Sequence, residues 1–265
     1  MGSHGLMRTL TRHELYEICV QSPEDLVPLL RAIHGGEPRT LGEDFAGSGA
    51  LSRLWVGSVE CGSAIAVDHD AETLALAKAD GVRTIVGDVR SATTAADAAD
   101  IIFVGNFSIG ELHERGELVA YLRHCRERLT PGGVFVCDIY GGDSAFLAGH
   151  VHRPHPGPEG TTIRYTWEQR KADPMTGMVT NALHFRVEQA GTIYQEEHDA
   201  FVYHWRLWSV PELRDAMTEA GFGTTETYAK LADAIDDEGN AHVLPIEDGG
   251  EDLDESFIVC VTARV

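Results

Sequence analysis

Positive charge is scarce in this sequence. Lys and Arg number 21 against 42 Asp and Glu in 265 residues, a net charge of −21. A chain this acidic is repelled by the phosphates of nucleic acid and by anionic lipid, so neither is expected as a partner. Residues 233–255 hold ten of the acids and no Lys or Arg, yet the remainder is still strongly acidic, so the charge is general. Long apolar runs are missing too. None approaches the roughly 20 residues that span a bilayer, and no charged-then-apolar leader opens the chain, so a cytoplasmic protein is expected. Cysteine is sparse: Cys19, Cys61, Cys125, Cys137 and Cys260 are scattered and never form Cys-x-x-Cys. That argues against a disulfide framework or a zinc site and for reduced cysteines in the core. There is no internal repeat and no low-complexity linker. With 43% hydrophobic residues, the chain has enough apolar side chains for one large domain or one domain carrying an insertion.

Apolar or β-rich runs at residues 40–45, 64–68, 83–86, 101–104 and 134–139 alternate with helical patterns at 51–56, 71–79 and 117–129. The last helix stops at Thr130-Pro131-Gly132-Gly133, a turn signal before a buried strand. This alternation predicts βαβ units and a parallel sheet with right-handed crossovers. The pattern then breaks. Residues 150–160, rich in His, Pro and Gly, read as a polar loop. Residues 161–170, 178–188 and 194–204 alternate like three antiparallel strands, with turns at Asp173-Pro174 and Gly191. Ser209 opens a helix as its N-cap, with Pro211 early and Glu212 as capping-box partner, and Gly221 closes it. Strands at 224–230 and 256–265 end the chain. The expected organisation is therefore residues 1–150 as N-terminal helices and a ligand-binding half, 151–205 as an antiparallel insertion, and 206–265 completing the first domain.

The chemistry lies at the strand ends. Leu41 to Ser52 is a strand leading into a Gly-rich turn at Gly47-Ser48-Gly49 and then a helix, which lets backbone N–H groups approach a ligand closely. Such turns are common and alone mean little. Asp68 ends the second strand about 20 residues beyond the last glycine, where an acid can accept both hydroxyls of an adenosine ribose. Asp88, in Gly87-Asp88-Val89, ends the third strand, and Asn106-Phe107-Ser108 ends the fourth. All four fall on the edge where open parallel sheets bind ligands. A dinucleotide is the competing ligand. Against it, the third glycine of Gly-x-Gly-x-x-Gly is Ser52, and Asp88 has no role there.

Through these motifs the sequence resembles the class I S-adenosylmethionine-dependent methyltransferases. The likeness covers about residues 41–140, with Leu129-Thr130-Pro131-Gly132-Gly133 included, and adds the helix end Glu219-Ala220-Gly221-Phe222. A closer likeness to a largely uncharacterised subgroup covers nearly the whole chain. It runs through Tyr16 to Pro23, Glu43 to Gly49, Asn106-Phe107-Ser108, Asp138-Ile139-Tyr140-Gly141-Gly142, Trp167-Glu168-Gln169 and Trp205-Arg206-Leu207-Trp208. The resemblance implies an α/β, Rossmann-like, doubly wound and mostly parallel seven-stranded sheet with an antiparallel β insertion. It implies S-adenosylmethionine as cofactor, held by Tyr16, Gln21, Glu43, Phe45, Gly47, Ser48, Gly49, Asp68, His69, Asp88, Val89, Asn106, Phe107 and Ser108. Phe45 stands where the family pattern has its first glycine. That leaves Glu43, preferred by spacing, and Asp44 as rivals for the acid at the methionine end.

Tyr140 and Tyr16 are the candidates for the methyl-transfer end. The expected activity is methyl transfer to a small-molecule nucleophile by in-line displacement, which needs alignment more than a dedicated base. A non-catalytic S-adenosylmethionine-binding protein and a nicotinamide-dependent oxidoreductase are the alternatives. No Asn/Asp-Pro-Pro-Tyr follows the fourth strand, which with the charge points to a small acceptor. His150, His152 and His155 lack a matching carboxylate set, so no metal is expected. Trp205 and Trp208 read as core. The aromatic insertion is the expected lid and substrate selector. It is expected to bury one face, over the cleft mouth by preference or against a second copy in a homodimer.

Overall fold

Ile101, Ile102, Phe103 and Val104 follow one another without a polar residue between them, as a strand covered on both faces requires. In the computed structural model, which describes residues 8–236, 240–247 and 255–265, that run lies near the centre of a seven-stranded sheet. The elements are, in order, α1 (Arg12–Cys19), α2 (Pro23–His34), β1 (Thr40–Asp44), α3 (Ala50–Ser58), β2 (Ser63–Asp68), α4 (Ala71–Leu74), β3 (Val82–Val86), β4 (Ala99–Val104), α5 (Arg115–Arg128) and β5 (Leu129–Gly142). There follow β6 (Gly149–Pro156), β7 (Thr162–Asp173), β8 (Met178–Gln189), β9 (Thr192–Arg206), α6 (Val210–Ala220), β10 (Thr224–Ala229), β11 (Ala234–Ile235), β12 (Ala241–His242) and β13 (Ser256–Arg264). The chain divides into two compact units: Ser22–Ala145 with Arg206–Val265, and the chain up to Gln21 with Phe146–Trp205.

The larger unit holds the sheet in the order β10-β13-β5-β4-β1-β2-β3. Its strands are parallel except β13, which runs antiparallel to both β5 and β10. One face is packed by α5 and α6 through Leu118, Leu122, Leu213 and Met217. The other is packed by α2 and α3 through Leu29, Leu30, Ile33 and Trp55. The expected α/β, doubly wound and mostly parallel sheet with an antiparallel insertion is the observed architecture. Helix α6 carries the expected capping box, Ser209 with Glu212, and ends on Gly221 at φ 97°. Two expectations in this unit are corrected. The helix at 71–79 ends at Leu74 and tightens into a 3₁₀ turn. The turn Thr130–Gly133 does not precede β5 but is a bulge in it: Leu129 pairs with Ala99 and Val134 with Ile101.

The smaller unit is a four-stranded antiparallel sheet in the order β6-β7-β8-β9, with α1. Leu10, Leu15 and Cys19 pack on Ile163, Tyr165, Leu183, Phe185 and Val187 to form its own core. Residues 150–160, expected as a polar loop, instead contain most of an additional strand. β6 pairs with β7 from Gly149 opposite Gln169 to Pro156 opposite Thr162. Its prolines fit because β6 is an edge, where an N–H can be dispensed with. Among the described residues, no helix is long and apolar enough to cross a membrane.

Candidate functional site

The Gly-rich turn is built by backbone that few residues tolerate. Phe45, Gly47 and Gly49 take φ values of 57°, 54° and 64°. A Cβ on Gly49, the N-cap of α3, would lie 2.4 Å from that of Ala77, so only glycine lets the turn close. A Cβ on Gly47 would meet only the Thr73 methyl, at 4.0 Å, so that side of the turn is roomy. The hydroxyl of Ser48 is buried without a hydrogen-bond partner. Helix geometry leaves the first N–H groups of α3 without intrahelical acceptors.

Two acids flank this turn, and a third diverges from it. Asp68, at the end of β2, accepts the Gly47 N–H at 2.8 Å and the Asp70 N–H at 2.9 Å. A carboxylate has about four lone-pair sites, so it can hold the turn and still accept from a ligand diol. Glu43 is buried and accepts both the N–H (2.9 Å) and the hydroxyl (2.5 Å) of Ser52. Burial pushes its carboxyl up to about 7, against the opposing pull of Ser52 and Arg53; the field of Asp68 adds to the rise. Asp44 points into the core instead. Arg128 grips it with two bonds (2.8 and 3.1 Å) and the Tyr121 hydroxyl donates a third at 2.8 Å. A Cβ on Gly42 would lie 3.3 Å from the Ile102 side chain and 3.4 Å from the Ala99 Cβ and the Arg128 Nη2, a tight but tolerable fit.

The other strand ends differ in character. The Asp88 carboxylate is taken up by Arg90, at 2.6 to 3.0 Å, and that guanidinium holds its carboxyl below the usual range. Val89 is buried, and His69 stands in solvent 3.6 Å from Asp68. At the end of β4, Asn106 and Phe107 have φ values of 54° and 65°, and both donate their N–H groups to Asp138 on β5. Ser108 begins a 3₁₀ turn, and the ring of Tyr140 meets that of Phe107 edge-on at 5.0 Å. Sequence reasoning missed Asp138 and Lys230. The available signal was an acid inside the apolar run Val134–Ile139.

No known family's sequence profile matches the chain, and no curated protein matches it. Solved structures do. CalS10 from Micromonospora echinaspora, an amino pentose methyltransferase solved with S-adenosylmethionine, shares 18% identity over 99% of this chain and 100% of its own, with a TM-score of 0.67. KedS8, a sugar N-methyltransferase from Streptoalloteichus, shares 16% over 100% and 97%, also at 0.67. An S-adenosylmethionine-dependent methyltransferase from Clostridium acetobutylicum shares 15% over 95% and 96%, at 0.65. The chain has the class I methyltransferase fold.

Within the smaller unit of this methyltransferase fold lie Tyr16 and Gln21, the two remaining candidates. Tyr16 is on α1 with its ring 5.0 Å from that of Phe201, and the Gln21 side-chain oxygen is buried without a partner. Trp205 is buried, stacked on Tyr203 at 4.4 Å; Trp208, in the larger unit, is buried and donates its indole N–H to the Leu112 carbonyl. On the insertion sheet the donor atoms of Glu168, His184 and Asp199 lie within 4.8 Å of one another. Arg170 bonds both carboxylates, and His184 accepts the Asp199 N–H at Nδ1, which leaves the proton on Nε2 facing Glu168. The charge and the lone pair that a metal would need are already engaged.

Proposed function

We propose that the chain transfers a methyl group from S-adenosylmethionine to a small-molecule nucleophile. One observation carries this reading. The Glu43 carboxylate accepts the Ser52 N–H in the first turn of α3, among the donors that a pyrophosphate would use. An acid that already takes one of those N–H groups leaves phosphate a poorer cradle, and its ionised form, which a cation would stabilise, favours a ligand bearing an ammonium and a sulfonium. S-adenosylmethionine supplies, when bound, a methyl group activated by its positive sulfur. The chain supplies the rest: room at Gly47, the unpartnered Ser48 hydroxyl, Asp68 for a ribose diol and Glu43 for the amino end. Tyr16 and Tyr140 are the candidates for aligning the acceptor, with His69, Asp88, Val89, Asn106, Phe107, Ser108, Phe45, Gly49 and Gln21 completing the cofactor set.

The acceptor is a small molecule rather than a polyanion, in keeping with the net charge of −21. Amines are the first class to assay, because solved neighbours of this fold act on amino sugars. A cytoplasmic location and a homodimer belong to the same reading. Calorimetric titration with S-adenosylhomocysteine and, separately, with NADH tests it. Binding of the first and not the second is expected, followed by turnover on a panel of amines, hydroxyls, thiols and carboxylates. Binding of NADH alone would overturn the reading, and cofactor binding with no turnover on any acceptor would favour a non-catalytic binding protein.

A further inference from the structure

Asp138 is fully buried in the strand register where Val136, Cys137 and Ile139 form the core, and a buried carboxylate persists only where donors surround it. Three donors meet it. The Asn106 N–H reaches it at 3.1 Å, the Phe107 N–H at 2.7 Å and the Lys230 ammonium at 2.5 Å. Asn106 and Phe107 are consecutive non-glycine residues in the left-handed region, a conformation kept only where the surroundings enforce it. Their two N–H groups converge as an anion-binding pair, and Asp138 is the anion. Lys230 follows β10 and reaches across β13, where Cys260 lies between Tyr228 and Asp138 in the ladder. Its ammonium also stands 5.4 Å from the centre of the Phe107 ring. Burial disfavours that ammonium, but the Asp138 carboxylate beside it outweighs burial and holds its pKa above the ordinary lysine value.

The geometry points to Asp138, backed by Lys230, as a positioning residue for cofactor binding. The pair holds the Asn106-Phe107-Ser108 turn in its strained shape at the carboxyl edge of the sheet, ready for the ligand rather than ordered by it. This rests on the proposed function, because the turn matters to binding only if the cofactor lies along that edge. A purely structural role, fastening the chain after β10 to the sheet, is the competing account.

The two separate by experiment. S-adenosylhomocysteine is titrated into the full-length protein and into Asp138→Asn, Lys230→Met and Lys230→Arg, with circular dichroism and melting curves for each. The expected result is a native spectrum throughout. Kd should rise about tenfold or more in Asp138→Asn and roughly three- to tenfold in Lys230→Met, with recovery in Lys230→Arg. Dissociation constants unchanged in both folded variants, with only the melting temperature lowered, would overturn the inference. If Asp138→Asn does not fold, the Lys230 pair decides alone. Failure of the unmodified protein to bind S-adenosylhomocysteine would instead remove the methyltransferase reading, and the inference with it.

Discussion

Glu43 and Asp44 are neighbours in β1 with opposite fates, because alternate strand residues face opposite sides. Asp44 meets Arg128 and becomes part of the core; Glu43 meets α3 and the Gly-rich turn. Spacing could prefer Glu43, but the guanidinium that claims Asp44 comes from 84 residues away and left no local trace. The Glu43 carboxyl moves from an ordinary 4.5 to about 7 on burial. The folded state therefore holds its proton more tightly than the unfolded chain, so this group lowers stability as pH rises from about 4.5 through 7, by roughly 3 kcal/mol at full effect. Glu43→Gln should flatten the fall in stability between pH 5 and 7, which urea melts at stepped pH would show; an undiminished slope would assign it to other groups. A cationic amino group binding beside Glu43 should expel that proton. Calorimetry of S-adenosylhomocysteine at pH 6 in buffers of different ionisation heat would count the release. For Asp68→Ala, which removes the Gly47 anchor and the proposed diol acceptor together, affinity should drop by roughly one to two decades, or about 1–3 kcal/mol. An unchanged Kd in a folded variant would exclude Asp68 from the site.

At the scale of elements, what was legible followed from local chemistry. The capping box of α6 is written in Ser209, Pro211 and Glu212, and the parallel strands in apolar or β-rich runs such as Ile101–Val104. Loss of the Ser209 hydroxyl removes one donor and one acceptor of that box, so Ser209→Ala should cost about 1 kcal/mol without touching cofactor affinity. Urea unfolding and calorimetry on the same variant would check both halves. Strand β6 was not legible, because nearly all its residues face solvent and its prolines mimic a loop. Its pairing is imposed by β7, whose own sequence is strongly β-forming. The bulge at Thr130–Gly133 resembles a turn in sequence for a related reason: Pro and Gly report local geometry, whereas the ladder around them is set by β4. Asp138 was visible as an oddity in a buried strand, but its donors come from the turn after β4 and from beyond β10, and only the fold unites them.

For the whole molecule, the decisive fact is that each compact unit carries its own core. Leu15, Ile163, Leu183 and Phe185 belong to the smaller unit, while the two clusters on the faces of the seven-stranded sheet belong to the larger one. That α1 packs on strands roughly 150 residues later was not legible, because a short amphipathic helix does not name its partner. A chain beginning at Ser22, with Ala145 joined to Arg206 by a Gly/Ser linker, opens none of the larger unit's clusters and should fold cooperatively. It keeps Glu43, Gly47, Asp68 and the Asp138 pair but loses Tyr16 and Gln21. Its affinity for S-adenosylhomocysteine should then fall by what those two side chains contribute, one to two decades at roughly 1 kcal/mol or more per lost contact. The full-length double variant Tyr16→Ala, Gln21→Ala should show the same loss. If the shortened chain binds as tightly as the full chain, Tyr16 and Gln21 leave the cofactor set. If it binds weakly while the double variant does not, the smaller unit acts through other residues. If the insertion is the substrate selector, as its sequence leads us to expect, transfer to the natural acceptor should vanish in the shortened chain even at saturating cofactor; an unchanged rate would assign selection to the larger unit alone.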